Sequence, residues 1–266
     1  MTELQSLSPL ELAFLGGFLG LILGSFISML SYRLPQALLA EQPMADVLLK
    51  KSRSHCPQCD TSLPWFRLIP LLSWLATGGK CHHCKAPISK RYPLIELFSA
   101  LSTAYILWHY GITEIGMAAL IFNGFLLTIS VIDIEHQLIL DTLSLPLLWL
   151  GLLLNTQGFF TTAESAIWGA AMGYLILWSL FHAFRLLTSK EGMGYGDFKL
   201  LAALGAWFGF SALPVIILIA ALVTIMVAVL GAILRIRSLN DPMPFGPFLA
   251  IGGWVVLFFE KSLNLY

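Results

Sequence analysis

A chain of 266 residues that is 58% hydrophobic and only 11% charged is not an ordinary soluble domain, which carries about 25% charged residues. Its formal net charge is zero, and no basic face is available to follow a phosphate backbone, so nucleic acid is excluded as a partner. Most of the solvent is lipid, and the composition points to an all-α integral membrane protein.

The first apolar run covers residues 10–32. No basic residue precedes it, and it is too long for the apolar region of a cleaved signal peptide, so it is expected to remain as a spanning helix. The next stretch, 33–93, differs in kind. It holds all four cysteines, many of the prolines, and nine Lys/Arg against three Asp/Glu, and it reads as a small polar domain between the first two helices. Seven further apolar segments follow, at about 94–110, 114–133, 142–157, 164–187, 198–209, 212–234 and 245–262. Turns at Gly111, Gly158, Ser211–Pro214 and Asp241–Pro247 join several of them. The expected organisation is a first transmembrane helix (1–32), a polar domain (33–93) and a seven-helix membrane domain (94–266).

Basic residues mark the cytoplasmic side of a membrane protein. None precedes Arg33, so the 33–93 domain is expected in the cytoplasm and the N-terminus outside. Eight alternating crossings then bring Arg185, Lys190, Lys199, Arg235 and Arg237 to the same side and leave only Lys261 outside, with the C-terminus: fourteen of the fifteen basic residues share one face. Fusing the 198–209 and 212–234 segments into one span would move Arg235 and Arg237 to the wrong side.

Within the polar domain, Cys56-Pro57-Gln58-Cys59 and Cys81-His82-His83-Cys84 are separated by twenty-one residues. Two such knuckles facing each other form a four-thiolate tetrahedral zinc site, and four thiolates leave no open position, which makes the metal structural. The competing reading is two disulfides, which rarely persist in a reducing cytoplasm. A domain of roughly 60 residues has a marginal core that a metal can staple. His82 and His83 read as solvated.

Two acids stand where lipid makes charge costly and usually functional. Asp133 closes the third apolar segment, and Asp197 opens the sixth after Gly192-Met193-Gly194-Tyr195-Gly196. Two crossings separate them, so both lie at the cytoplasmic edge. Two carboxyls sharing a proton are the working unit of an aspartic protease, one acting as base and the other as acid. In the catalytic loop, with Lys199 in support, Gly194 and Gly196 are expected to give positive φ and close approach to a substrate. Structural alternatives stay open: Asp197 as an N-cap, and Asp133 as a carboxylate reaching into the headgroups. Asp141, before Thr142-Leu143-Ser144, reads as an N-cap. Glu135 and His136 read as solvated, Glu96 as a cap or a supporting partner, and Asn123 as a bond to a neighbouring helix.

These motifs resemble those of the bacterial prepilin peptidases, or type IV leader peptidases, over nearly the whole chain. The likeness runs through Gly24-Ser25-Phe26, Tyr32–Pro35, Arg53–Cys59, Ile69–Leu75, Gly79-Lys80-Cys81, Cys84–Leu97 and Gly194-Tyr195-Gly196-Asp197-Phe198-Lys199-Leu200. The resemblance implies eight helices with a cytoplasmic zinc domain in a bacterial inner membrane, both termini periplasmic. It implies Asp133 and Asp197 as catalytic aspartates acting on prepilins or pseudopilins. It further implies S-adenosylmethionine-dependent N-methylation of the product, with Gly79 and Lys80 tied to that activity. The family shows Pro-Asp where this chain has Leu140-Asp141. The Gly-x-Gly-Asp element is also similar to that of presenilins and signal peptide peptidases, which lack the cysteine domain; a presenilin-like protease is the first alternative. A zinc-stabilised transporter is the second. It should place paired acids near the midplane of a repeated fold, and no repeat is visible here.

Overall fold

The computed structural model describes residues 7–39, 55–56, 58–64, 68–189, 193–236, 238 and 243–263. Arg53, Pro57, Lys190, Gly192, Arg237 and Asp241 lie outside the described residues, as does the side chain of Lys261. Every apolar segment becomes a helix. These are α1 (Pro9–Leu39), α3 (Arg91–Tyr110), α4 (Glu114–His136), α5 (Asp141–Asn155), α6 (Ala163–Thr188), α7 (Tyr195–Phe208), α8 (Leu213–Ile233) and α9 (Gly246–Leu263), with a short α2 (Leu72–Ala76) in the polar stretch. The first helix does not stop with its apolar run: it carries Tyr32-Arg33-Leu34-Pro35 in helical form and ends at Leu39.

Four stretches are long and apolar enough to cross a bilayer on their own: Pro9–Leu38, Glu114–His136, Ala163–Thr188 and Phe210–Ile233. The protein is an all-α, multi-pass membrane protein. Helices α5 and α7 have 15 and 14 residues, about 23 and 21 Å of rise, short of a hydrocarbon core of about 30 Å.

The chain forms two compact units, Met1–Gly124 and Phe125–Tyr266. In the first, α1 lies along α3 on a row of glycines spaced by four. A Cβ on Gly16, Gly20 or Gly24 would stand 2.7, 2.5 or 2.6 Å from Thr103 O, Ser99 O or Glu96 Cα. Backbones approach this closely in membranes because lipid supplies no hydrophobic drive and van der Waals contact must do the work. Another row of α1, Leu10, Phe14, Phe18, Ile22 and Phe26, is exposed and suits lipid. Asn123 Nδ2 donates to Ser102 Oγ at 3.0 Å, the interhelical bond expected of it. Glu96 is buried and accepts from the amide of Leu71 at 2.8 Å. Leu71 has φ of 56° and is the N-cap residue of α2, so this carboxylate holds the strained start of α2 rather than capping its own helix.

In the second unit α7 is the centre. Every residue from Leu200 to Phe208 is buried, as befits a helix that is apolar all round, and α5 and α6 flank it. Gly169 of α6 meets Gly205 of α7 back to back, and a Cβ on either would collide with the other's carbonyl oxygen. On the α5 side, Trp207 Nε1 donates to Leu147 O at 2.7 Å. Asn155 donates to Ala206 O and Trp207 O and accepts from the amides of Phe160 and Thr161, so all its hydrogen-bonding capacity is used inside the protein. At the far end Gly209, with φ of 80°, terminates α7 in a conformation other residues resist. The 198–209 and 212–234 segments are thus separate helices.

Candidate active site

Asp133 sits in the last turn of α4, 4% exposed, and Asp197 is the third residue of α7, 7% exposed. Each is held by a main-chain amide at a helix start. The amide of Gly246, first residue of α9, donates to Asp133 Oδ2 at 3.0 Å. The amide of Gly194 donates to Asp197 Oδ2 at 3.2 Å. First-turn amides have no partner within their own helix, and the helix dipole there favours negative charge. The cap of α7 is Gly194, so Asp197 is not an N-cap; it reaches back from the first turn. Asp133 is enclosed by protein and does not reach for headgroups.

Ile139 ties the two acids to one place. A Cβ on Gly196 would fall 2.6 Å from Ile139 Cβ. A Cβ on Gly246 would fall 2.9 Å from Ile139 Cδ1 and 2.7 Å from Asp133 Oδ2. The end of α4, the loop before α5 and the starts of α7 and α9 therefore converge, near enough for the charge of Asp133 to act on Asp197. Positive φ at Gly194 and Gly196 is not observed. Gly194 is extended at φ −83° and Gly196 lies inside α7, outside the set of positive-φ glycines. At Gly196 what is required is space against Ile139, not a left-handed backbone.

Lys199 Nζ lies 2.6 and 2.7 Å from the two oxygens of Asp141, joining the N-terminal ends of α5 and α7. Asp141 is accordingly an ion-pair partner and not the expected N-cap; that position falls to Leu140, which makes no side-chain cap bond. Leu140 has φ of −77°, within the range a proline ring imposes, so the leucine keeps the backbone shape that Pro-Asp would have fixed. Glu135 and His136 are exposed, as expected.

In the first unit the four cysteines are free and their sulfurs all lie within 4.8 Å of one another, so the disulfide reading does not hold. Two turns repeat one pattern to bring this about. The amide of Asp60 donates to Cys56 O and that of Cys56 to Thr61 O; the amide of Lys85 donates to Cys81 O and that of Cys81 to Ala86 O. Asp60 and Lys85, at equivalent places, both have positive φ, 54° and 60°. The Thr61 hydroxyl and amide pull the Cys59 thiol down to about 6, and the amides of Cys84 and His83 lower Cys81. One thiol in each turn is thus drawn toward the thiolate, the metal-binding form, whereas Cys84, although the Ala86 amide lowers it, is pushed up to about 11 by burial and the neighbouring sulfurs. His82 and His83 are exposed. Gly79 precedes the second turn at φ 68°, and a Cβ there would fall 2.8 Å from the Trp74 ring. The amide of Lys80 closes the same bend on Thr77 O.

Comparison with known proteins places this geometry. Residues 120–259 match the type IV leader peptidase family and residues 18–110 the Bacterial Peptidase A24 N-terminal domain. The chain belongs to the type IV leader peptidase family. It is 48% identical to a protein of Stutzerimonas stutzeri named prepilin leader peptidase/N-methyltransferase, over 99% of this chain and 97% of that one. Proteins of the same name in Pseudomonas aeruginosa and Neisseria gonorrhoeae are 46% and 38% identical, over 96% and 99% of this chain and 93% and 96% of theirs. No solved structure matches the chain. As a member of the leader peptidase family it is an enzyme of the membrane.

Three supporting residues of this leader peptidase escaped the sequence reading. Gly246, within Pro244-Phe245-Gly246-Pro247, read only as part of a turn; its signal was a glycine between prolines at the mouth of an apolar segment. Ile139 carried none. Asp141 carried a misleading one, since an acid before Thr142 looks like a cap.

Proposed function

We propose that the protein is an aspartic endopeptidase that removes the leader from type IV prepilins or pseudopilins at the membrane, with Asp133 and Asp197 as its catalytic pair. The observation that carries the proposal is the convergence of two buried carboxyls, each fixed by a main-chain amide, in a chain whose relatives bear that name. One carboxylate takes a proton from the attacking water, whose oxygen bonds to the scissile carbonyl carbon. The protonated partner gives its proton to the carbonyl oxygen. Collapse of that diol breaks the C–N bond: one hydroxyl returns its proton to the carboxylate that had protonated the carbonyl, and the leaving amine takes the proton the base had gained. Cleavage of a prepilin in proteoliposomes by wild type, Asp133→Asn and Asp197→Asn, with N-terminal sequencing of the product, tests this. A near wild-type rate for Asp197→Asn would overturn it.

Zinc is the metal that best suits the cysteine cluster. Zn–S bonds of about 2.3 Å in a tetrahedron set sulfurs roughly 3.8 Å apart, and Cys56 Sγ to Cys84 Sγ is 3.8 Å. Bound there by Cys56, Cys59, Cys81 and Cys84, the ion supplies structural stability to a segment with little core.

The distribution of basic residues supports eight crossings, a cytoplasmic cysteine segment and periplasmic termini in a bacterial inner membrane; reporter fusions after Pro35 and at Tyr266 should sit on opposite sides. The relatives' name includes N-methyltransferase, which supports a second activity; the family resemblance makes it S-adenosylmethionine-dependent methylation of the new N-terminus and ties Gly79 and Lys80 to it. Labelled S-adenosylmethionine in the same assay reads it directly.

A further inference from the structure

We infer that Gly246 is a positioning residue for Asp133, and that it fixes the orientation in which that carboxyl reacts. The inference rests on the proposed Asp133–Asp197 pair. Asp133 Oδ2 accepts from the Gly246 amide, and Asp197 Oδ2 from the Gly194 amide. One oxygen of each carboxyl is thereby held by the main chain, which fixes the plane of the carboxyl without using up the acceptor capacity of either oxygen.

The two restraints differ in kind. Gly194 lies three residues from Asp197, on the same helix start. Gly246 lies 113 residues from Asp133, so the orientation of Asp133 is set by where α9 begins. A methyl on Gly246 would sit 2.7 Å from Asp133 Oδ2, too close for that carboxyl to keep its place. Neither can the amide be lost without unpairing a buried carboxylate oxygen. Position 246 therefore needs both its N–H and its missing side chain. Pro247, which follows, has no N–H to compete for the carboxylate.

The measurement is steady-state cleavage of a prepilin by the full-length protein in proteoliposomes, with thermal midpoints of the same preparations. Gly246→Ala should lower kcat at least tenfold and leave KM within about twofold, because the methyl turns the carboxyl without touching substrate. A raised KM with unchanged kcat would mean that Gly246 meets substrate directly, and the inference falls. Ile139→Val removes only Cδ1, the one atom outside Asp133 among the three nearest the methyl. If Gly246→Ala in that background returns to the rate of Ile139→Val alone, the defect is crowding against Ile139, which also overturns the inference; no recovery is expected.

Should Gly246→Ala fail to fold, Asp133→Ala removes the obstructing carboxyl, and the double variant should melt within about 2 °C of Asp133→Ala alone. A further large drop would show that the contact with Asp133 is not the cause. Asp133→Asn, run alongside, separates the two failures: if it cleaves, the catalytic pair itself is wrong, whereas if it is dead while Gly246→Ala is fully active, only this inference fails.

Discussion

The four thiols of the first unit are gathered by two turns that repeat one hydrogen-bond pattern, whereas the two carboxyls of the second are gathered by three helices and a loop. The thiol site is local. Each half is a short stretch whose own hydrogen bonds fold the turn that carries its sulfurs. The acid site is non-local. Its ligands are two residues, but its shape depends on Ile139, Gly196 and Gly246, none of which carries chemistry. A local site should fail when a ligand is changed and tolerate most other changes. A non-local one should be sensitive at positions that look inert.

The sharpest way to break this contrast is at the acids. Asp133→Asn and Asp197→Asn should each reduce cleavage by about 10³-fold or more, and the double variant should be little worse, since the pair acts as a unit. Prepilin cleavage at matched expression checks this; independent, multiplying losses would mean the two carboxyls do not share one step.

Next in size is the metal. If the cluster holds zinc as proposed, Cys81→Ser should lower the metal content from about one ion per chain to near none and expose the cysteine segment to proteolysis, because removing one thiolate collapses a closed site. Metal analysis and X-ray absorption measure it. A full zinc complement in the variant would remove the metal from the comparison.

A smaller effect is expected at Gly79 and Lys80. Gly79→Ala should reduce methylation more than cleavage, because the added methyl presses on Trp74 and disturbs the turn before Cys81. Lys80→Ala should act in the same direction but more weakly. Equal loss of both activities would make this turn a device for positioning substrate.

The smallest effect belongs to the ion pair. Lys199 and Asp141 are partly exposed, and such pairs contribute at most about 1 kcal/mol. Lys199→Ala should therefore slow cleavage only several-fold, and Asp141→Asn should keep substantial activity. The reversal Lys199→Asp with Asp141→Lys should recover much of what Lys199→Asp alone loses. A loss approaching that of Asp197→Asn would make the pair part of the chemistry.

What could be read from sequence follows the same divide. The helices were legible because a membrane demands long apolar stretches, and each expected segment is a helix. The thiol cluster was legible because its spacing is its structure. Asp133 and Asp197 stood out because acids are rare in such surroundings. Their partners did not, since a glycine's usefulness at 196 or 246 lies in the space left for Ile139 or a carboxylate, which no neighbouring residue announces. Asp141 misled because capping is a local rule and its actual partner, Lys199, is tertiary. The expected positive φ at Gly194 and Gly196 failed for a related reason: glycine serves close approach as well as unusual dihedrals, and sequence alone does not say which.

The meeting of Gly169 with Gly205 works as a detent. Each glycine occupies the only ground the other leaves free, and close-packed interiors deform little. Turning α7 by one residue would swing a neighbour of Gly205, either Leu204 or Ala206, into that gap, through about 100°. Sliding it would do the same. The azimuth of α7 is thus pinned near its far end, and Asp197, eight residues away along a stiff rod, inherits that setting. Two absent methyl groups index the direction in which a distant carboxyl faces.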